Sequence, residues 1–145
     1  MFLSISKKHV FSLALVIAFW EAFHVVTGES RVTVSVRNYL PNGLNATIHC
    51  KSGDDDVGVH VVPNCIFNEP PYKLRFNPNI FHTTLYFCGI SWKEASMVYD
   101  LYTYKRDHER CGHDCLWDIQ KGGIMGYSIP GHLSIYEKWQ KHNAN

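Results

Sequence analysis

An all-β fold, a small antiparallel β-sandwich stapled by disulfides, is what this sequence predicts. Three observations lead there. Short segments alternate apolar and polar residues along most of the chain, turn-forming residues separate them at regular intervals, and all five cysteines lie beyond residue 49. No long helical apolar period follows the N-terminal leader.

The elements follow in order. Arg31 to Arg37 alternates strictly, with Val32, Val34 and Val36 on one side, which predicts a half-buried strand. Pro41, Asn42 and Gly43 make a turn. Asn45 to Lys51 alternates again and turns Ala46, Ile48 and Cys50 inward. Val57 to Val62 and Tyr72 to Phe76 read as further strands, divided by the proline-rich loop Pro63 to Pro71. Asn77-Pro78-Asn79 is a turn. Thr83 to Ile90 is more continuously apolar, which suits a strand covered on both faces. Val98 to Tyr104 and Leu116 to Gln120 follow, and Gly122-Gly123 forms a hairpin turn into Ile124 to Tyr127. That makes about eight strands. The tail from Leu133 to Lys141 spaces Leu133, Tyr136 and Trp139 as a short helix would.

The first 28 residues read as a signal peptide. Lys7, Lys8 and His9 form a basic start, Val10 to Trp20 is uncharged and apolar, and cleavage is expected after Gly28. Residues 29–145 are then one domain. Lys7, Lys8 and Glu21 leave with the leader, so 14 basic and 13 acidic residues become 12 of each. A chain this near neutrality has no electrostatic hold on nucleic acid. No second long apolar stretch occurs, so no direct membrane insertion is expected.

A secreted chain makes disulfides the default state of its cysteines, Cys50, Cys65, Cys88, Cys111 and Cys115. Five is odd, so one thiol is unpaired or joins another molecule. Asn45-Ala46-Thr47 is an N-glycosylation acceptor on the wet face of its strand.

Four strings, in this order, carry a family likeness: His49-Cys50-Lys51-Ser52-Gly53-Asp54-Asp55-Asp56-Val57-Gly58, Thr84-Leu85-Tyr86-Phe87-Cys88, Arg106-Asp107, and Cys111 through Cys115 to Trp117. Together they resemble the plant self-incompatibility S-protein homologue family across roughly Val32 to Tyr127. The resemblance implies a small secreted plant protein with a β-sandwich fold. It also implies, by analogy with stigma ligands that meet a pollen receptor, a role as a recognition ligand for a cell-surface membrane protein. The segment Pro63 to Pro71 departs from the family pattern and carries the extra Cys65. The protein is therefore expected to be a monomer, or a dimer through Cys65.

Cys50, Cys88, Cys111 and Cys115 match the family's four and allow three connectivities. Loop-closure entropy and inward alternation favour Cys50–Cys115 with Cys88–Cys111. Among exposed residues, Asp54, Asp55, Asp56, Arg106 and Asp107 are the receptor-contact candidates. The triple aspartate is also expected to fold as a turn that bonds its own backbone, with one carboxylate paired to Lys51 or Arg106. Specificity is expected in loops around Gly53–Gly58, Pro63–Pro71, Asn77–His82 and Lys105–Asp114.

Other chemistry finds less support. His108, Cys111, His113 and Cys115 match no zinc spacing, and oxidised cysteines are not thiolate ligands. The aspartates lack the alternating oxygens of a calcium loop. No nucleophile elbow, paired carboxylates or phosphate-cradling loop occurs, so neither an enzyme nor a cofactor is expected. Trp92, Tyr99, Tyr102, Tyr104 and Trp117 leave a carbohydrate-binding module as the alternative, with a secreted ribonuclease behind it. The rings would have to be exposed for the first of these.

Overall fold

The computed structural model describes residues 6–26 and 31–140. The chain divides into two compact units, Met1–Ser30 and Arg31–Asn145. The first holds the helix α1 (Lys7–Val26), opened by the lysine pair. Among the described residues no helix is long and apolar enough to cross a membrane. The expected cleavage point after Gly28 lies outside the described residues.

The second unit is built from β1 (Val32–Asn38), β2 (Ala46–Lys51), β3 (Asp56–Val62), β4 (Tyr72–Phe76), β5 (Leu85–Trp92) and β6 (Ala95–Thr103). These are followed by the helix α2 (Tyr104–Arg110), β7 (Asp114–Gln120), β8 (Gly123–Tyr127) and β9 (Leu133–Lys138). Two sheets form, with orders β4-β1-β7-β8-β9 and β3-β2-β5-β6. The expected antiparallel arrangement is corrected at one pair. β1 and β7 run parallel, with Val34 beside Cys115 and Val36 beside Trp117. They meet from distant parts of the chain, so no hairpin sets their direction.

The core lies between the inner faces of the two sheets. Val32, Val34, Val36, Trp117 and Ile119 of one sheet pack in one cluster with Ile48, Cys50, Cys88 and Ile90 of the other. The period of two in the sequence produces this directly, because alternate residues of a strand share a face. Phe76 lies 4.5 Å from Tyr86 and 4.9 Å from Tyr102, ring centre to ring centre. Such aromatic pairs add about 0.5–1.5 kcal/mol beyond the burial of their area.

Four expectations are overturned here. The tail is the strand β9, paired along β8 with Ile135 beside Gly126. Its three-residue apolar spacing is coincidental, since β8 offers hydrogen-bonding partners along one edge of its backbone and a lone short helix would not be stable. Trp139 leaves the strand to pack 6.4 Å from Trp92 and to donate its indole N–H to the Gln120 carbonyl. The stretch Lys105–Asp114 is not simply a loop, because α2 occupies its first half. β5 is not covered on both faces: Leu85 and Phe87 of its outer face are exposed. Finally, the hairpin turn falls one residue earlier than expected, at Lys121-Gly122, because Gln120 already pairs with Gly123.

Candidate recognition surface

Three of the four expected specificity loops meet at one end of the sandwich. β2 ends at Lys51 and β3 begins at Asp56, so the acidic turn caps that end of the four-stranded sheet. β4 ends at Phe76 beside Val32, which places the loop from Asn77 to Thr84 at the same end. β5 then pairs Leu85 with Thr103, the residue before α2, and Tyr104 N–H donates to the Thr84 carbonyl. The fourth loop, Pro63 to Pro71, follows Val62, whose partner is Ala46, and therefore lies at the opposite end.

The acidic turn and the loop after β4 form the two walls of a cleft of about 440 Å³. It is lined by Ser52, Asp54, Asp55, Asn77, Asn79 and Thr83, among others. The turn is pinned by its own backbone, with Ser52 N–H donating to the Asp55 carbonyl at 2.8 Å. The Tyr86 hydroxyl donates to Asp55 from below at 3.3 Å. Burial pushes the Tyr86 phenol above its usual pKa, and the nearby Asp55 and Asp54 charges add to this against a Ser52 hydrogen bond that lowers it. The opposite wall is stiffened by Asn79, whose side chain bonds both the backbone and the hydroxyl of Thr83 at 2.9 Å. At its tip Ile80 and Phe81 are each 78% exposed.

The three aspartates have separate environments. Asp56 belongs to β3. It accepts from His49 at 2.5 Å and from the Gly58 N–H at 3.0 Å, and it lies 3.4 Å from Lys51. The pairing with Lys51 is as expected. Asp54 and Asp55 form no ion pair with a described basic side chain. The His49 hydrogen bond, then the Gly58 N–H and Lys51, draw the Asp56 pKa down to about 2 from 3.8. A carboxylate with a lowered folded pKa contributes stability above its unfolded pKa and loses it as pH falls through the folded value. Asp56→Asn is therefore expected to lower the melting temperature at pH 7. It is also expected to flatten the melting curve's dependence on pH between about 4 and 2. Melts of both proteins from pH 7 to 2 check this. Equal slopes through that window would show that the His49–Asp56 contact is absent in solution.

Of the Arg106-Asp107 pair, Asp107 departs from the contact role expected of it, while the Arg106 side chain remains 28% exposed. Asp107 is 0% exposed, which removes it from any contact surface. Its carboxylate accepts from Arg106 at 2.7 and 2.9 Å, from Arg110 at 2.6 Å and from the Thr103 N–H at 2.8 Å. The last bond satisfies an amide at the start of α2 that no helical carbonyl reaches. Arg106 also donates to the Asp100 carbonyl, and its guanidinium lies 5.6 Å from the rings of both Tyr99 and Trp117. Arg110 lies 5.0 Å from the Trp117 ring. Burial opposes the Arg106 charge, but the hydrogen bond and field of Asp107 outweigh it, and its pKa is raised. The motif is a brace that fastens α2 to the core. Its residue types alone give no sign of that, because burial depends on which elements close around them.

The disulfides correct the expected pairing. Cys50 joins Cys88, and Cys111 joins Cys115. Cys50 and Cys88 are direct cross-strand partners of β2 and β5, with Cα atoms 4.0 Å apart. Cys111 ends α2 and Cys115 lies early in β7, with Cα atoms 5.0 Å apart. Loop entropy ranks bridges by what they do to the unfolded chain, whereas proximity in the fold decides which bridges can form. Cys65 is the free thiol and is half-buried.

The aromatic set expected for a sugar platform is largely inside. Tyr102 and Trp117 are buried, while Trp92, Tyr99 and Tyr104 pack partly against the core. Sequence reasoning missed a surface stack in which the Tyr104 ring lies 4.3 Å from His82 and 4.9 Å from His108. The four-residue interval from Tyr104 to His108 fits one face of α2 once that helix is known, but nothing along the chain signals the contact with His82. Among the described residues no group of three or more side chains is placed to hold a metal ion.

Residues 33–139 match the family model described as plant self-incompatibility protein S1. The chain belongs to the plant self-incompatibility protein S1 family. It is 41% identical to S-protein homolog 5 of Arabidopsis thaliana over 93 residues, covering 64% of this chain and 69% of that one. It is 37% identical to S-protein homolog 6 of the same plant over 103 residues, 70% of this chain and 72% of the other. S-protein homolog 27 extends the match to 123 residues at 35% identity, covering 83% and 76%. A solved self-incompatibility protein homologue superposes with a TM-score of 0.61 at 17% identity, over 79% of this chain and 98% of that chain. It is described as one of a widespread family of small, highly stable, secreted plant proteins. Its match to this S1-family chain shows the shared two-sheet fold.

Proposed function

We propose that this S1-family chain is an extracellular recognition ligand, read by a cell-surface membrane protein in plant cell–cell signalling of the self-incompatibility type. The observation that carries this reading is the cleft between the acidic turn and the loop from Asn77 to Thr84. Two carboxylates without a described cationic neighbour face a wall tipped by two exposed apolar side chains. That surface suits a partner segment presenting a basic residue beside an apolar one. Loops at one end of a stapled sandwich can vary without disturbing the core, which suits recognition. The carbohydrate reading is weakened by the burial of Tyr102 and Trp117.

The test compares binding of the oxidised, secreted protein to plant cell membranes with that of two variants, Asp54→Asn/Asp55→Asn and Ile80→Ser/Phe81→Ser. The apolar pair is expected to weaken binding roughly tenfold or more, since central contacts cost about 2 kcal/mol when truncated. The acidic pair is expected to weaken it less and to reduce its salt dependence. Melting temperatures should stay near wild type, because these side chains are exposed. Unchanged affinity in both variants would remove this end of the molecule from recognition.

A further inference from the structure

The opposite end of the sandwich holds an apolar turn whose cover is written in the sequence beside it. Cys65–Phe67 forms a short 3-10 turn, and its Ile66 and Phe67 are 69% and 60% exposed. On one side they press on Gly43, where an added Cβ would come within 2.9 Å of the Ile66 Cδ1 atom. Their other side faces outward. The turn is anchored by buried Asn64, whose side chain donates to the Leu40 and Leu44 carbonyls at 2.8 and 3.0 Å. Asn38 holds the same Leu44 carbonyl and that of Val62, each at 2.9 Å. An apolar tip is therefore held rigidly outward, beside the one free thiol.

Asn45, the acceptor of the Asn45-Ala46-Thr47 tripeptide, stands next to this tip. It is exposed, and its side-chain oxygen accepts the backbone N–H of Asn64, the residue before Cys65, at 3.3 Å. The geometry points to an N-linked glycan on Asn45 that covers the Cys65–Phe67 turn and shields the thiol. In the transfer, the Asn45 side-chain nitrogen bonds the anomeric carbon of a lipid-diphosphate-linked oligosaccharide. The carbon–oxygen bond to the diphosphate breaks, the amide gives up one proton, and the lipid diphosphate leaves. No electrons change hands. Transfer comes before β2 pairs with β5, when Thr47 is not yet engaged with Ser91 as it is in the fold, at 2.6 Å. The glycosylated amide keeps its oxygen, so the bond from Asn64 persists and fixes the root of the sugar against the turn. The hydroxyl-rich sugar presents apolar ring faces to Ile66 and Phe67 and its polar rim to water. This device sits at the far end from the acidic cleft and is independent of the recognition proposal.

The experiment uses full-length chain secreted from a plant host. Intact mass of the secreted protein is expected to show a glycan that Asn45→Gln and Thr47→Ala each abolish. Native alkylation by N-ethylmaleimide then reads Cys65 alone, since the other four cysteines are bridged, and Cys65→Ser supplies the blank. Enzymatic removal of the glycan from the folded protein is expected to speed alkylation several-fold. It is also expected to raise the protein's tendency to associate through the bared turn. An unmodified Asn45, or equal alkylation rates before and after sugar removal, overturns the proposal. The enzymatically treated sample keeps the test decisive even if a variant fails to be secreted.

Discussion

Asp107→Asn is expected to cost about 3–5 kcal/mol of folding stability, the range for stripping one partner from a buried charge cluster. Asparagine preserves the shape of the side chain, so the loss reports charge and hydrogen bonding. Two guanidiniums would then lack their counter-charge. Arg110, whose side chain is 8% exposed, has almost no access to water and bears most of the penalty. Arg106 is more exposed and recovers part of its hydration. The Thr103 N–H also loses its carboxylate acceptor, which weakens the start of α2. Urea unfolding should show a lower midpoint with an unchanged slope. Arg106→Lys should be destabilising too, because an ammonium offers neither the paired donors nor the flat face that Arg106 sets against Tyr99 and Trp117. A stability change below about 1 kcal/mol for Asp107→Asn, the usual range for an exposed ion pair, would show that the carboxylate is solvent-accessible after all.

Removing the Cys50–Cys88 bridge by double alanine substitution is expected to cost about 4 kcal/mol, against about 2 kcal/mol for Cys111–Cys115, on loop-closure entropy. The sequence separations of 38 and 4 residues set that order. Each bridge then has a different local consequence. Cys50–Cys88 fastens β2 to β5 at the centre of the four-stranded sheet, so its loss should loosen the sheet as a whole. Cys111–Cys115 ties the end of α2 to β7, so its loss should free α2 while both sheets persist. Since domains are stable by only about 5–15 kcal/mol, losing the first bridge removes a large fraction of the total. Non-reducing peptide mapping supplies the direct check, with Cys50 and Cys88 expected in one linked fragment. A fragment joining Cys50 to Cys115 would contradict the fold's register.

Strands β1 and β4 were legible because a half-buried strand must alternate, whereas β5 and β6 begin two and three residues away from the expected Thr83 and Val98. Val32, Val34 and Val36 announce β1, and Tyr72, Leu74 and Phe76 announce β4, by a period of two that no other regular structure shares. The acidic turn was equally readable, since adjacent aspartates flanked by glycines have few folded solutions besides an exposed turn. α2 was hidden because seven residues are too few to display a helical apolar stripe. Its stability comes from Asp107 reaching Thr103, Arg106 and Arg110, which are contacts made on folding. β9 was misread because Leu133, Tyr136 and Trp139 fit a helical spacing, yet the open edge of β8 offered a hydrogen-bonding partner that spacing cannot reveal.

Local order along the chain was enough to establish the all-β class, the succession from β1 to β8, the identity of the buried valines and the four strings that mark the S1 family. Those follow from covalent sequence and from the geometry of a single strand. Tertiary structure alone decided that Cys50 meets Cys88, that Asp107 is buried between two arginines, and that the acidic turn shares a cleft with Asn77, Asn79 and Thr83. Each depends on which distant segments become neighbours, and that is fixed by the joint packing of two sheets.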